Sequence, residues 1–193
     1  MTARVDDDLR RALTDVGSSD RGVQNAAYQA LTAATDGPVA WAYEAWDELV
    51  AGLRDRDNHV RAIAAQLLCN LAKSDPEERI VRDFPALLEV TRDDRFVTAR
   101  HCLQSLWKVG ALGGTPLDTY REGLVARFAE CRAEKNWSLI RHDIVCSLRD
   151  VHEATGDETV RATALELIDS EDDPKYRKKY AGVWKAQRAG RTA

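Results

Sequence analysis

The chain has 193 residues and a mass of 21.6 kDa, with 44% hydrophobic and 31% charged residues. Five Trp, five Tyr and three Phe add core material, which excludes a disordered chain. A compact chain of this size buries about 70% of its extended surface, enough for one core without metal or disulfide staples. The net charge of -4 is unevenly spread: Pro174 to Ala193 carries seven basic and no acidic residues, which leaves 21 basic against 32 acidic, or -11, for the rest.

The opening MTARVDDDLRRAL has no apolar core segment, so a secretory signal is not expected. No stretch approaches the roughly 18 apolar residues of a membrane span. The expectation is a cytoplasmic protein with no membrane partner. Cys69, Cys102, Cys131 and Cys146 are spaced by 33, 29 and 15 residues, which matches no zinc or redox signature. They read as buried thiols in a reducing compartment, with no metal and no cofactor.

In chain order, helical spacing predicts first helices over about 5–16, 42–54, 78–92, 117–133 and 158–169. Each is followed by a second helix whose expected caps are Asp20, Asp57, Asp94, Asn136 and Asp173. Asp173-Pro174 pairs a cap with a proline at the first helical position. The glycines and prolines at Gly37-Pro38, Gly110, Gly113 to Pro116 and Gly156 read as connections.

The second helices share one pattern, with anchors at Val23, Val60, Thr98, Ile140 and Tyr176 that lie 37, 38, 42 and 36 residues apart. Apolar or small residues follow at +4, +8 and +11: Ala64, Leu68 and Leu71, for example, or Ile144, Leu148 and Val151. These offsets fall within about 80° of one another on a helix, so they form one core stripe. The last copy gives Tyr180 and Trp184, then polar Gln187. The expected fold is all-α, a single domain of about five helix-pair repeats at roughly 5–36, 41–73, 78–110, 116–154 and 157–188.

LVAGLRDRDNHVRAIAAQLLCNLA resembles a HEAT repeat, as does LELIDSEDDPKYRKKYAGVW in weaker form. Val60-Arg61, Ile140-Arg141 and Tyr176-Arg177 are similar to the family's Val-Arg pair, with Asp55 and Glu171 as turn acids. Gln24 and Ala99 replace the arginine in the first and third copies, which breaks a continuous Asp–Arg ladder. The resemblance implies an α–α superhelix whose second helices line the concave surface. It leaves function open, because such solenoids host many roles.

The face opposite the core stripe carries Asn25 and Gln29 in the first copy, then Gln66 and Asn70 in the second. The third places Arg100, His101, Gln104 and Lys108 there, the fourth His142, Asp143 and Asp150, and the fifth Lys178 and Lys179. Gln29, Gln66 and Gln104 share one offset and predict an amide row. Uncharged amides offer hydrogen bonds without charge. The expected function is therefore non-catalytic binding of a protein or peptide on this concave face, by Gln29, Gln66, Asn70, Arg100, Gln104, Lys108, His142, Asp143, Lys178 and Lys179.

The alternative is nucleic-acid binding through the basic C-terminal helix, where lysines would meet phosphates and Tyr176, Tyr180 and Trp184 would stack on bases. Those rings hold core offsets, which favours packing instead. The HEAT-like alkylpurine DNA glycosylases give an enzymatic precedent, with Trp107, Arg100 and Asp143 as the residues of matching type. No phosphate-loop, nucleophile-elbow or zinc-protease motif is present. The oligomeric state is left open.

Overall fold

The fold is known from a computed structural model, which describes residues 5–185. All regular structure among the described residues is helical. The helices are α1 (Asp7–Asp15), α2 (Arg21–Ala34), α3 (Ala42–Gly52), α4 (Asn58–Leu71), α5 (Arg79–Val90), α6 (Phe96–Leu103), α7 (Trp107–Gly110), α8 (Gly114–Glu130), α9 (Trp137–Thr155), α10 (Glu158–Asp169) and α11 (Pro174–Lys185). Single 3-10 turns extend α4 and α8.

Each helix packs on its chain neighbour: α1 on α2, α3 on α4, α5 on α6, α8 on α9 and α10 on α11. The second members of these hairpins also form a row, α2 against α4, α4 against α6, α6 against α9 and α9 against α11. The first members α5, α8 and α10 form a second row. The buried apolar residues make one cluster from Ala12 to Tyr180.

Short side chains at the turns start the helices. Asp20 Oδ1 accepts from the N–H groups of Gly22 and Val23, and Asp57 Oδ1 accepts from His59 N–H. Asp173 accepts from Lys175 N–H, and Asp6 and Asp157 cap α1 and α10 in the same way. Such caps satisfy donors that a first turn leaves open, and each is worth about 1 kcal/mol. Two expected caps are corrected. Asp94 does not cap α6; Asp93 takes the Arg95 N–H instead, at 2.8 Å. Asn136 stands at the cap position of α9 without a side-chain hydrogen bond.

The core stripe holds along the row. Val60, Ala64, Leu68 and Leu71 are buried, as are Thr98, Cys102, Leu106 and Val109, and Ile140, Ile144, Leu148 and Val151. Val23 departs, at 40% exposed, on the first helix of the row. Gln187 lies outside the described residues. The connection expected over 110–116 shrinks to three residues, because Gly114, Thr115 and Pro116 begin α8. Gly110 is not slack at all. A Cβ there would lie 2.8 Å from both Tyr120 and Val151, so the missing side chain lets two helices close. Gly113 and Gly156, in connections, and Gly114, the first residue of α8, do adopt positive φ.

Charged side chains join successive hairpins. Arg61 bonds Asp93 through two nitrogens at 2.6 and 2.9 Å, and its third reaches Asp55 O in its own turn. Arg141 repeats this, with Glu171 at 2.7 Å and Phe128 O at 2.9 Å. Gln24 keeps half of the pattern by donating to Val16 O, while Arg21 supplies the charge to Asp57 at 2.7 Å. Arg127 covers the third junction from α8, where it is fully buried. It grips Glu134 at 2.5 and 2.7 Å and both oxygens of Thr91 at 2.9 Å. The ladder that sequence spacing left broken is thus bridged by arginines outside the expected position.

The glycines give a direct test of packing. Gly110→Ala should lower stability by about 1–2 kcal/mol, overpacking outweighing the gain in helix propensity. Gly182→Ala, where a Cβ meets nothing within 4 Å, should be neutral or raise stability by up to about 1 kcal/mol. Urea unfolding midpoints compare the two.

Candidate functional site

The row α2, α4, α6, α9 and α11 carries every residue proposed for binding except Gln104 and Lys108, which follow α6 on the same strand of chain. A cavity of about 400 Å³ opens across its first three members, lined by Asn25 and Tyr28 from α2, His59, Ile63 and Gln66 from α4, and His101 from α6. Asn25, His59 and His101 are exposed, while Tyr28 and Gln66 are half-buried. The cavity therefore has an apolar floor with hydrogen-bonding groups at its rim.

Several expected binding residues are committed to holding neighbouring helices together. The Tyr28 hydroxyl donates to Gln66 Oε1 at 2.9 Å, and Gln66 Nε2 donates to Ala62 O at 3.0 Å. Asn70 is only 5% exposed; it donates to Thr35 Oγ1 and accepts from Lys108 Nζ. Arg100 forms a forked pair with Asp143 at 2.7 and 3.1 Å. Asp143 is buried, and the pair raises the Arg100 pKa above its ordinary value. Gln29 and Gln104 are exposed, so the amide row is interrupted by the tethered Gln66. Gln104 also sits in a turn rather than a helix. Ser105 Oγ donates back to His101 O, and Ser105 N–H bonds Cys102 O, tightening the chain between α6 and α7.

His142 meets three groups. Its Nδ1 lies 3.9 Å from Asp143 Oδ1 and 3.7 Å from Cys146 Sγ, while Lys179 on α11 opposes its charge. Asp143 is the chief cause, followed by Cys146, of a pKa raised to about 9. Both contacts fall on one ring nitrogen, so the imidazole cannot pass a proton from thiol to carboxylate as a triad requires. Trp107 lies elsewhere, lining a cavity of about 340 Å³ with Asp150 and Glu153. Asp150 is about 10 Å further along α9 than Asp143. The Trp107, Arg100 and Asp143 set therefore does not converge.

On α11 the rings pack inward. Tyr180 is fully buried against Phe128, with its hydroxyl donating to Ser138 O at 3.0 Å. Tyr176 contacts Trp137 edge-on at 4.8 Å, and Trp184 lies 5.4 Å from His152. Lys175, Lys178, Lys179 and Lys185 are exposed. They do not continue into Arg100, whose charge Asp143 answers. Arg188 and Arg191 lie outside the described residues.

Cys69, Cys102 and Cys131 are buried and Cys146 is half-buried, all as free thiols. Burial pushes the Cys69 thiol up to about 12. Among the described residues no cluster of three or more His, Cys, Asp or Glu is placed to hold a metal ion. No helix among them is long and apolar enough to cross a membrane. The chain matches no known family and no curated protein.

A pKa raised in the folded state favours folding fully below the ordinary value near 6.5, and that contribution fades as pH rises through about 9. In the Asp143→Asn variant, His142 should titrate lower than about 9, toward its ordinary value. NMR titration of the His142 ring protons checks this.

Proposed function

We propose that the chain is a HEAT-like α-solenoid of about five helix pairs, and that it works as a non-catalytic scaffold for a protein or peptide. The ligand lies across the row of second helices. The observation that carries this is the cavity spanning α2, α4 and α6, with exposed Asn25, His59 and His101 around the half-buried ring of Tyr28. A groove crossing three successive helices suits an extended segment better than a small molecule, and its aromatic floor with a polar rim fits peptide recognition. The regular hairpin packing and the period of the anchors support the solenoid. Among the described residues no nucleophile, base and orienting group converge, which favours binding over catalysis.

Nucleic acid is the second candidate ligand, with base excision as its enzymatic form. It is favoured by the exposed lysines of α11, and weakened by the commitment of Tyr176, Tyr180 and Trp184 to packing. Binding of single-stranded or duplex DNA or RNA at low salt, weakening steeply as salt rises, would support it; no binding at low salt removes it. Release of methylated purines from alkylated DNA tests the enzymatic form directly.

The scaffold is tested with Asn25, His59 and His101 together changed to Ala, three exposed positions that leave the helix-to-helix bonds intact. Affinity capture with mass spectrometry should find a partner with the native chain that drops about tenfold or more with the variant, while thermal stability stays unchanged. An identical set of captured proteins would count against the groove.

A further inference from the structure

Helix α11 turns a strip of lysines to solvent. Lys175, Lys178, Lys179 and Lys185 are exposed, and none of them makes an ion pair among the described residues. At 100° per residue they occupy an arc of about 120°, opposite the side on which Tyr176, Tyr180 and Trp184 pack. The helix contains no acidic residue; Asp172 and Asp173 stand before it, and Asp173 accepts from Lys175 N–H as its cap. The last repeat of a solenoid needs a polar outer face, but mixed charge would supply one.

Gly182 sits at the centre of this arc. It is helical and exposed, and a Cβ there would meet nothing within 4 Å. Glycine weakens a helix interior relative to alanine. Gly110 is required all the same, because Tyr120 and Val151 close over it. Among the described residues no such contact requires Gly182. A missing side chain in the middle of a charged strip lets another backbone come close between the lysines.

We propose that this face docks an acidic helix of a partner protein, packed across Gly182 with its carboxylates toward the flanking lysines. Helix axes approach to about 8 Å only where the side chains at the crossing are small. Lysines on long stems reach phosphates without such closeness, so a nucleic acid would not need the glycine. The rings that could stack on bases are also packed inward. A lipid surface calls for exposed apolar residues beside the lysines, and α11 has no large exposed hydrophobic residue. Complementary charge steers the acidic helix in and fixes its orientation. The face lies apart from the groove across α2, α4 and α6, and different substitutions test the two.

The test is an NMR titration of the full chain with a helical peptide of about 20 residues, in which glutamates flank a stripe of alanines. The same peptide with glutamine for glutamate is the control. Saturable shifts are expected at the amides from Lys178 to Lys185, with the glutamine peptide binding about tenfold weaker or less. Gly182→Leu should weaken binding about tenfold while the chain stays folded, because the added side chain enters open space. Lys178→Gln combined with Lys179→Gln should weaken it comparably through lost charge. Gly182→Ala should weaken binding about threefold while stability holds or rises. Undiminished binding in Gly182→Leu, or equal binding of the two peptides, would overturn the proposal. So would a single-stranded oligonucleotide or phosphatidylserine vesicles that bind the native and Gly182→Leu chains alike and more tightly than the peptide. Dimerisation of the native chain that Gly182→Leu abolishes would also overturn it, by assigning the face to a second copy.

Discussion

Guanidinium groups lie between successive helix pairs, and each must meet a counter-charge before the apolar faces can close. A half-buried arginine left unpaired costs several kcal/mol, more than a single side chain's burial returns. Asp93, Asp143 and Glu171 are nearly inaccessible, and each faces an arginine from a different hairpin. The partners are 32, 43 and 30 residues apart, close to one repeat period. The same charges that satisfy burial therefore also set which hairpin stacks on which. Apolar packing between helices is adaptable, whereas a forked arginine–carboxylate pair tolerates little sliding. That division of labour lets small, interchangeable residues such as Ala64 and Ala65 fill the core.

This requirement reaches the polar face as well. Asn70, Lys108, Arg100 and Asp143 sit where a binding surface was expected, yet they tie α4 to α7 and α6 to α9. A solvent-facing offset on a helix becomes an interface once the next helix lies beside it. Among the described residues, Asn25, His59 and His101 around the cavity across α2, α4 and α6, and the lysines of α11, stay exposed. The chain's acidic body spends many of its carboxylates on internal pairs. Its basic terminal helix has few such partners.

The helix pairs were legible in sequence because apolar spacing and capping aspartates act locally. Val60, Ile140 and their stripes are buried where the period places them, and Asp20, Asp57 and Asp173 cap as their positions imply. Less legible were features that depend on reach. Arg21 and Arg127 restore junctions that lack the motif arginine, and nothing in spacing shows that a long side chain from another turn or helix will arrive there. No side chain caps α6; Asp93, held at the turn by the Arg61 fork, accepts from the N–H of the cap residue Arg95 instead. Gly110 read as slack, since a glycine required by a facing tyrosine looks the same in sequence as one required by a bend. In the candidate site, Gln66 and His101 were found from the register. Tyr28 was not, because aromatic residues beside a core stripe give no sign of which groove they floor.

The central claim is that cross-hairpin arginine–acid pairs hold the row together. A double-mutant cycle on Arg61 and Asp93, using Arg61→Met and Asp93→Asn and urea unfolding, tests it most directly. Both side chains are largely buried, at 20% and 4% exposed. The pair should show a coupling energy of about 2 kcal/mol, against about 0.5 kcal/mol for the exposed Arg10–Glu44 pair. Equal and small coupling in the two cycles would contradict the claim and leave apolar packing as the sole determinant of the stacking.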